Sequence, residues 1–296
     1  MEIETLKNFL VVAREENISR AAEILHISQP TLSRQMINLG KEFNKKLFVH
    51  ANRRMTLTRD GVLLRKRASE ILELVKKTGE EMRENADEIA GNIYFAASES
   101  NIVRAVFSRT EAFRVEHPNV CYRMLSGSNE YIMDMVHKGI ADFGLAYGEI
   151  DASRFDSIPL KETVRWGILA KADSPLCGKS GVTPQDILKL SLVMNQSMIS
   201  VSPMQEWLGV PISELHIVGT FTMLINAQMM VESGLGYAVI TDNLLDYRNS
   251  GLTFIPLRPA LPVPMSLIWK RYQAFSTQSA AFLDILKRAL GDCLNN

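Results

Sequence analysis

The stretch Ser28–Phe43, SQPTLSRQMINLGKEF, constrains this chain more than any other. Leu32, Met36, Leu39 and Phe43 recur at spacings of 4, 3 and 4, the buried stripe of one helix. Ser28 is placed to cap that helix, and Pro30 falls in its first turn, where a missing N–H is not needed. Gln29, Thr31, Ser33, Arg34 and Asn38 lie off the stripe. The helix therefore keeps its apolar residues behind and shows a polar, hydroxyl-rich front. Its back must be covered, and the residues upstream can do this. Leu6, Phe9, Leu10 and Ala13 fall at i, i+3, i+4 and i+7, which predicts a helix with one buried face. Ser19 is placed to cap a second helix through Ala21, Ala22 and Leu25, whose small alanines permit a close crossing.

A short helix, a tight turn at His26–Ser28 and a polar-fronted helix make the helix-turn-helix pattern, whose second helix enters the DNA major groove by its N-terminal end. Gln and Arg can make bidentate contacts to base edges, and Thr offers a methyl to thymine. Gln29, Pro30, Thr31, Ser33 and Arg34 are the candidate readers, with Ser19 on the same DNA-facing side. Next, KKLFVHANRRMTLTRDG predicts strands over 47–50 and 55–58, joined by a turn carrying Asn52, Arg53 and Arg54. An Arg-tipped hairpin beside a recognition helix is a wing, and Arg53 and Arg54 are its candidate phosphate or minor-groove contacts. Charge agrees: residues 1–67 hold thirteen Lys/Arg against seven Asp/Glu, although the whole chain is neutral. A basic head on a mildly acidic body fits a polyanionic partner for the head.

These residues resemble the winged helix-turn-helix of the LysR-type transcriptional regulators. The likeness rests on Ala21-Ala22, Leu25, Ser28-Gln29-Pro30, Ser33, Leu39, Leu47-Phe48, Arg54, and Leu57-Thr58 with Gly61. The family pattern has Glu where this chain has Gly40, Leu-Gly where it has Phe43-Asn44, and Arg where it has His50. The departures bear on the helix's end and on one phosphate contact, and leave its front intact.

Thr58 can cap a long helix to about residue 87, along which Leu64, Ala68, Ile71, Val75, Thr78 and Met82 are spaced as a heptad seam. A dimer seam is the preferred reading, with a lone amphipathic helix lying on a domain as the alternative. From Gly91 the texture changes to short apolar runs between helical stretches. Strands are expected at 92–97, 121–125, 143–146, 164–170, 191–194, 215–219, 236–240 and 264–270. Helices are expected around 102–116 and 130–138, after Pro184, from Thr222, and over 275–290. Strands spaced by helices predict doubly wound parallel sheets. The expected fold class is α+β multidomain: a winged helix-turn-helix over 1–58, a linker helix over 59–88, and a two-lobed α/β domain over 89–296 that resembles periplasmic binding proteins. Lobe I would take about 91–161 and 267–296, and lobe II about 162–266. The runs EHPNV, GIADFGLA, ADSPL and VESGLGYAVI extend the family resemblance over this body.

Ligands of such sheets sit at the carboxyl ends of strands beside helix N-termini, where backbone N–H groups favour anions. Ser98, Ser100, Ser128, Ser197 and Thr222 are the candidate effector contacts, for a small metabolite with anionic character. Glu99 counts against a strongly anionic one, or for one that also carries an amine. The Gly-x-Gly of GLGYAV follows a helix and precedes a strand, which makes it a helix terminus rather than a dinucleotide fingerprint.

No catalytic constellation, cofactor site or metal spacing is legible among the five His and three Cys, so no enzyme activity is expected. No apolar run approaches the roughly 18 residues of a membrane span, and the first residues lack a signal-peptide pattern, so a cytoplasmic protein is expected. The resemblance implies a homodimer or homotetramer on double-stranded operator DNA, a small-molecule effector in the body, and contact with RNA polymerase. A solute-binding module with an incidental head, and an enzyme using the α/β cleft, are the rival readings.

Overall fold

The computed structural model describes residues 1–51, 54–83, 88–108, 110–196, 202–242, 244 and 250–291. Arg53, Ser197, Cys293 and the linker stretch 84–87 lie outside the described residues. The chain divides into two units, Met1–Glu84 and Asn85–Asn296.

In the first unit, helix α1 (Ile3–Glu15) buries Leu6, Phe9, Val12 and Ala13. Helix α2 (Ile18–Ile24) is capped by Asn17, whose Oδ1 accepts from the Ser19 and Arg20 amides at 3.0 and 3.1 Å. The expected cap, Ser19, is thus inside the first turn, because Asn is as good a cap as Ser and comes first in the chain. His26 then takes a left-handed φ of 54°, and the Ile27 and His26 amides donate back to the Ala22 and Glu23 carbonyls. That double bond closes α2 and sets the turn.

Helix α3 (Gln29–Glu42) starts on Ser28, whose Oγ accepts from the Thr31 amide at 3.3 Å. Leu32, Met36 and Leu39 are buried, but Phe43 is 45% exposed and lies past the last turn rather than on the buried stripe. The two departures from the family pattern work together here. Asn44 adopts a left-handed φ of 50°, which Asn tolerates, and the Lys45 amide donates to the Gly40 carbonyl at 2.9 Å. A Cβ on residue 40 would stand 2.7 Å from the Lys45 carbonyl oxygen, so the tight terminus requires the glycine.

Strands β1 (Phe48–Ala51) and β2 (Arg54–Leu57) form the antiparallel hairpin, with Phe48 opposite Leu57 and Ala51 opposite Arg54. Helix α4 (Arg59–Glu81) is capped by Thr58, whose Oγ1 accepts from the Gly61 amide and donates to the Lys46 carbonyl. The expected seam on α4 is not one continuous surface. Ala68 is buried, and Leu64 and Ile71 pack, in the same chain's cluster with Leu6, Phe9 and Leu39, leaving Val75, Thr78 and Met82 exposed. A heptad spacing reveals a stripe but not whether its partner belongs to the same chain.

The second unit begins with β3 (Gly91–Ala97), α5 (Asn101–Ser108), α6 (Glu111–Glu116), β4 (Val120–Ser126), α7 (Asn129–His137), β5 (Phe143–Tyr147) and β6 (Phe155–Pro159). It continues through β7 (Val164–Lys171), α8 (Pro184–Ile187), β8 (Leu192–Asn195), α9 (Ser202–Leu208), β9 (Ile217–Phe221), α10 (Leu224–Glu232), β10 (Tyr237–Thr241) and β11 (Leu252–Pro256). Strands β12 (Pro262–Val263) and β13 (Met265–Lys270) and helix α11 (Thr277–Gly291) complete it. One sheet has the order β4-β3-β5-β13-β6, and the other β11-β7-β10-β8-β9, with β12 also on β7.

Both sheets are mixed rather than wholly parallel. Strand β13 runs antiparallel to β5 and β6, and β7 runs antiparallel to β10 and β11. The reversal arises where the chain crosses between sheets, from β6 to β7 and from β12 to β13. The expected single helix over 102–116 is broken into α5 and α6, and β6, β11 and β12 were not anticipated. Consecutive residues point to opposite faces: Leu267 packs with Phe95, Phe143 and Phe282, while Ile268 packs with Ile132 and Val136 of α7. In the second sheet Ile168 joins Leu192 and Val239, while Leu169 joins Ala227 and Val231 of α10. Burial on both faces explains the unbroken apolar runs of these strands.

Candidate functional sites: a polar helix front and an interlobe cleft

The front of α3 faces solvent. Gln29, Pro30, Thr31 and Arg34 are exposed and Ser33 is partly so, while Leu32 and Met36 behind them are sealed. Ser28 and Thr31 share a hydroxyl–hydroxyl bond of 2.7 Å, which orients the first turn. The buried Asn8 of α1 donates from Nδ2 to Gln35 Oε1 at 2.9 Å, pinning the middle of α3 to α1. The helix is therefore fixed from behind and open in front. Ser19 is exposed at the start of α2. In the wing, Arg54 is mostly exposed and stands 3.7 Å from the Glu16 carboxylate, a contact weak enough for a phosphate to replace.

The second unit holds a cavity of about 900 Å³ between its two sheets. Ser98 and Ser100 reach it from the loop after β3, Ser128 from the start of α7, and Thr222 from the loop after β9. Four of the five candidate effector residues are thus brought to one cavity, and the fifth, Ser197, lies outside the described residues. Ser128 Oγ accepts from the Tyr131 amide at 3.3 Å and so caps α7. Thr222 does not cap α10. That helix starts at Leu224, and its Leu224 amide donates to Glu99 Oε2 at 2.9 Å, across the cleft and 125 residues away in sequence. Ser100 is 7% exposed and its hydroxyl has no hydrogen-bond partner. The Trp166 Nε1–H, on the same cavity, is likewise unpartnered.

Sequence reasoning missed Tyr131, Tyr147 and Trp166 as lining residues. Asn129 clamps the end of β5: its Nδ2 donates to the Tyr147 carbonyl at 3.0 Å and its Oδ1 accepts from the Tyr147 amide at 2.9 Å. Burial raises the Tyr147 phenol above its ordinary value, and the nearby Glu130 carboxylate pushes it the same way. The available signal was position: Tyr147 ends a buried strand at its carboxyl edge, where ligands of such sheets collect. Gly234 takes a left-handed φ of 79° just past α10, so GLGYAV is a helix terminus, as its order indicated. Among the described residues no group of His, Cys, Asp or Glu could hold a metal ion, and no helix is long and apolar enough to cross a membrane.

Two family models match the chain: the bacterial regulatory helix-turn-helix protein of the lysR family over residues 3–62, and the LysR substrate binding domain over residues 86–291. The transcriptional activator IlvY of Salmonella typhimurium is 31% identical over 150 residues, which span 49% of this chain and about half (50%) of IlvY. The Hca operon transcriptional activator HcaR of Escherichia coli is 26% identical over 277 residues, 92% of each chain. Among solved structures, the LysR family regulator CbnR has a TM-score of 0.76 at 19% identity, covering 98% of this chain and 99% of its own. CbnR bound to its target DNA has a TM-score of 0.73 at 20% identity, covering 98% and 100%.

Proposed function

This chain belongs to the LysR family of bacterial transcriptional regulators, and from that premise we propose how it reads DNA and what its cleft does. The head binds double-stranded operator DNA through Gln29, Pro30, Thr31, Ser33 and Arg34 in the major groove, with Ser19 beside them and Arg53 and Arg54 on the wing. The observation that carries this reading is the two-sidedness of α3: a sealed back, a capped start and an exposed polar front. CbnR, which shares the fold, is known in complex with its target DNA, and the same docking suits this head.

In this reading residues 1–58 serve as the DNA-binding head, 59–88 as the linker and 89–296 as the effector domain. The exposed part of α4, around Val75 and Met82, serves a second copy of the chain, giving a dimer or tetramer. Two heads then address two half-sites, so the operator is near-palindromic.

The interlobe cavity takes a small metabolite, with Ser98, Ser100, Ser128, Ser197 and Thr222 among its contacts. Glu99 and Leu224 link the lobes across that cavity, so a ligand that favours one lobe spacing shifts the assembly by its differential affinity for the two states. The paired heads respond, and with them DNA bending and contact with RNA polymerase in the cytoplasm.

The test is a titration of the full chain with the intergenic DNA upstream of its own gene, against scrambled competitor, at two salt concentrations. Competitor-resistant binding that weakens steeply with salt is expected. Binding no tighter than to scrambled DNA at both salts, on a panel of promoter-proximal fragments, would remove the operator reading.

A further inference from the structure

We propose that the cleft selects a small molecule of zero or positive net charge that carries a protonated amine and a hydrogen-bond acceptor, and that it discriminates against simple anions. This rests on reading the cleft as the effector site and narrows the ligand class.

The charges come first. The described residues that line the cavity include two carboxylates, Glu99 and Glu130, and no Lys, Arg or His. A bare carboxylate entering this space would lose its hydration and meet two like charges, with no cation among the described lining residues to replace the water. An ammonium group meets the opposite situation.

Helix N-termini are the usual remedy for an anion, and two of those at this cavity already hold a group of the chain itself. The Leu224 amide, at the start of the nine-residue α10, donates to Glu99. The Tyr131 amide, at the start of the nine-residue α7, donates to Ser128, and Glu130 adds its negative charge to the same first turn. A carboxylate and a hydroxyl of the chain itself thus stand where an anionic ligand would otherwise gain most.

Two buried polar groups point to what remains. The Ser100 hydroxyl is more than nine-tenths buried, lines the cavity and has no partner. A hydroxyl can accept from an ammonium N–H. The Trp166 indole N–H also lines the cavity unpartnered, and being a donor only it requires an acceptor oxygen on the ligand. Buried polar groups in native proteins are mostly satisfied, and an occupant of the cavity could complete both. The rings of Tyr131, Tyr147 and Trp166 complete the wall, and aromatic faces attract cations and repel anions. Charge therefore selects against an anion, and the unpartnered indole N–H adds the need for an acceptor atom on the ligand.

The experiment is calorimetric titration of the full chain at pH 7.5 and fixed ionic strength with four phenyl-bearing probes: 2-phenylethylamine, phenylalaninol, 2-phenylethanol and 3-phenylpropionate. The two amines are expected to bind at least ~10-fold tighter than 3-phenylpropionate, with phenylalaninol the tighter of the pair. Glu130→Gln should lower that preference several-fold, and it leaves Glu99 with its bond to the Leu224 amide in place. Glu99→Gln and Trp166→Phe should weaken phenylalaninol. Tighter binding of 3-phenylpropionate, lost in Trp166→Phe, would overturn the charge assignment and leave the cleft as the effector site. Amine binding untouched by all three substitutions would overturn the assignment by placing it elsewhere. Failure of all four probes to bind would overturn the inference and leave the cleft reading standing.

Discussion

Gly61→Ala sets two physical effects against each other at the joint between wing and linker helix. Gly61 lies in the first turn of α4, where replacing glycine by alanine stabilises a helix by up to ~1 kcal/mol. A Cβ there, however, would stand 2.1 Å from the Leu47 carbonyl oxygen and 2.9 Å from Leu57 Cδ2. Ordinary contact demands a shift of about 1 Å or more from backbone that is already bonded, since that oxygen accepts from the Thr58 amide at 3.0 Å. Overpacking costs ~1–3 kcal/mol, and a backbone bond broken inside the joint adds ~1 kcal/mol. The sum exceeds the propensity gain, so the head should be destabilised by about 1–3 kcal/mol. Gly79→Ala, on the same helix with nothing within 4 Å of its Cβ, should instead stabilise by up to ~1 kcal/mol. Native-state hydrogen exchange of α1 and α3 amides in the full chain reads the local opening free energy of this unit directly. A Gly61→Ala chain as protected as the parent would refute the packing argument, and a destabilised Gly79→Ala chain would refute the propensity argument.

Arg34→Ala should weaken specific operator binding by about 1–3 kcal/mol if Arg34 reads a base, measured by competition titration, and unchanged affinity and sequence preference would exclude it from the readers. Asn129→Ala removes both partners of the Tyr147 backbone groups and should cost the effector domain about 1–3 kcal/mol in denaturant unfolding; an unchanged midpoint would show the clamp to be dispensable. The Lys179 ammonium, followed by the Thr183 amide and hydroxyl, holds the Asp186 carboxyl at about 2 against an ordinary 3.8. The folded value is the lower one, so this contribution is fully present above pH 3.8 and is lost as pH falls through about 2. Asp186→Asn should therefore flatten the acid limb of the stability curve in that window, and superimposable limbs would count against it.

The sequence by itself determined what local chemistry can specify. The apolar spacing of α3, its Ser28 cap and the alternation of the wing are short-range patterns, set by helix geometry and by backbone groups that must be capped within a few residues. The glycine terminus at Gly234 is equally local. Where two local solutions were equivalent, sequence pattern picked the wrong one: Ser19 was the expected cap of α2, and Asn17 is the cap. What only the tertiary structure decided is long-range. The partner of Leu64, Ala68 and Ile71 is the chain's own core, which spacing cannot reveal. The strand directions in the mixed sheets follow from the chain crossing twice between lobes. Ser98, Ser100, Ser128 and Thr222 meet at one cavity only because two sheets bring their strand ends together, and Glu99 reaches Leu224 across 125 residues. Side-chain periodicity encodes which face of an element is buried; it carries no information about which distant element will cover it, because that is settled by the closure of the whole chain.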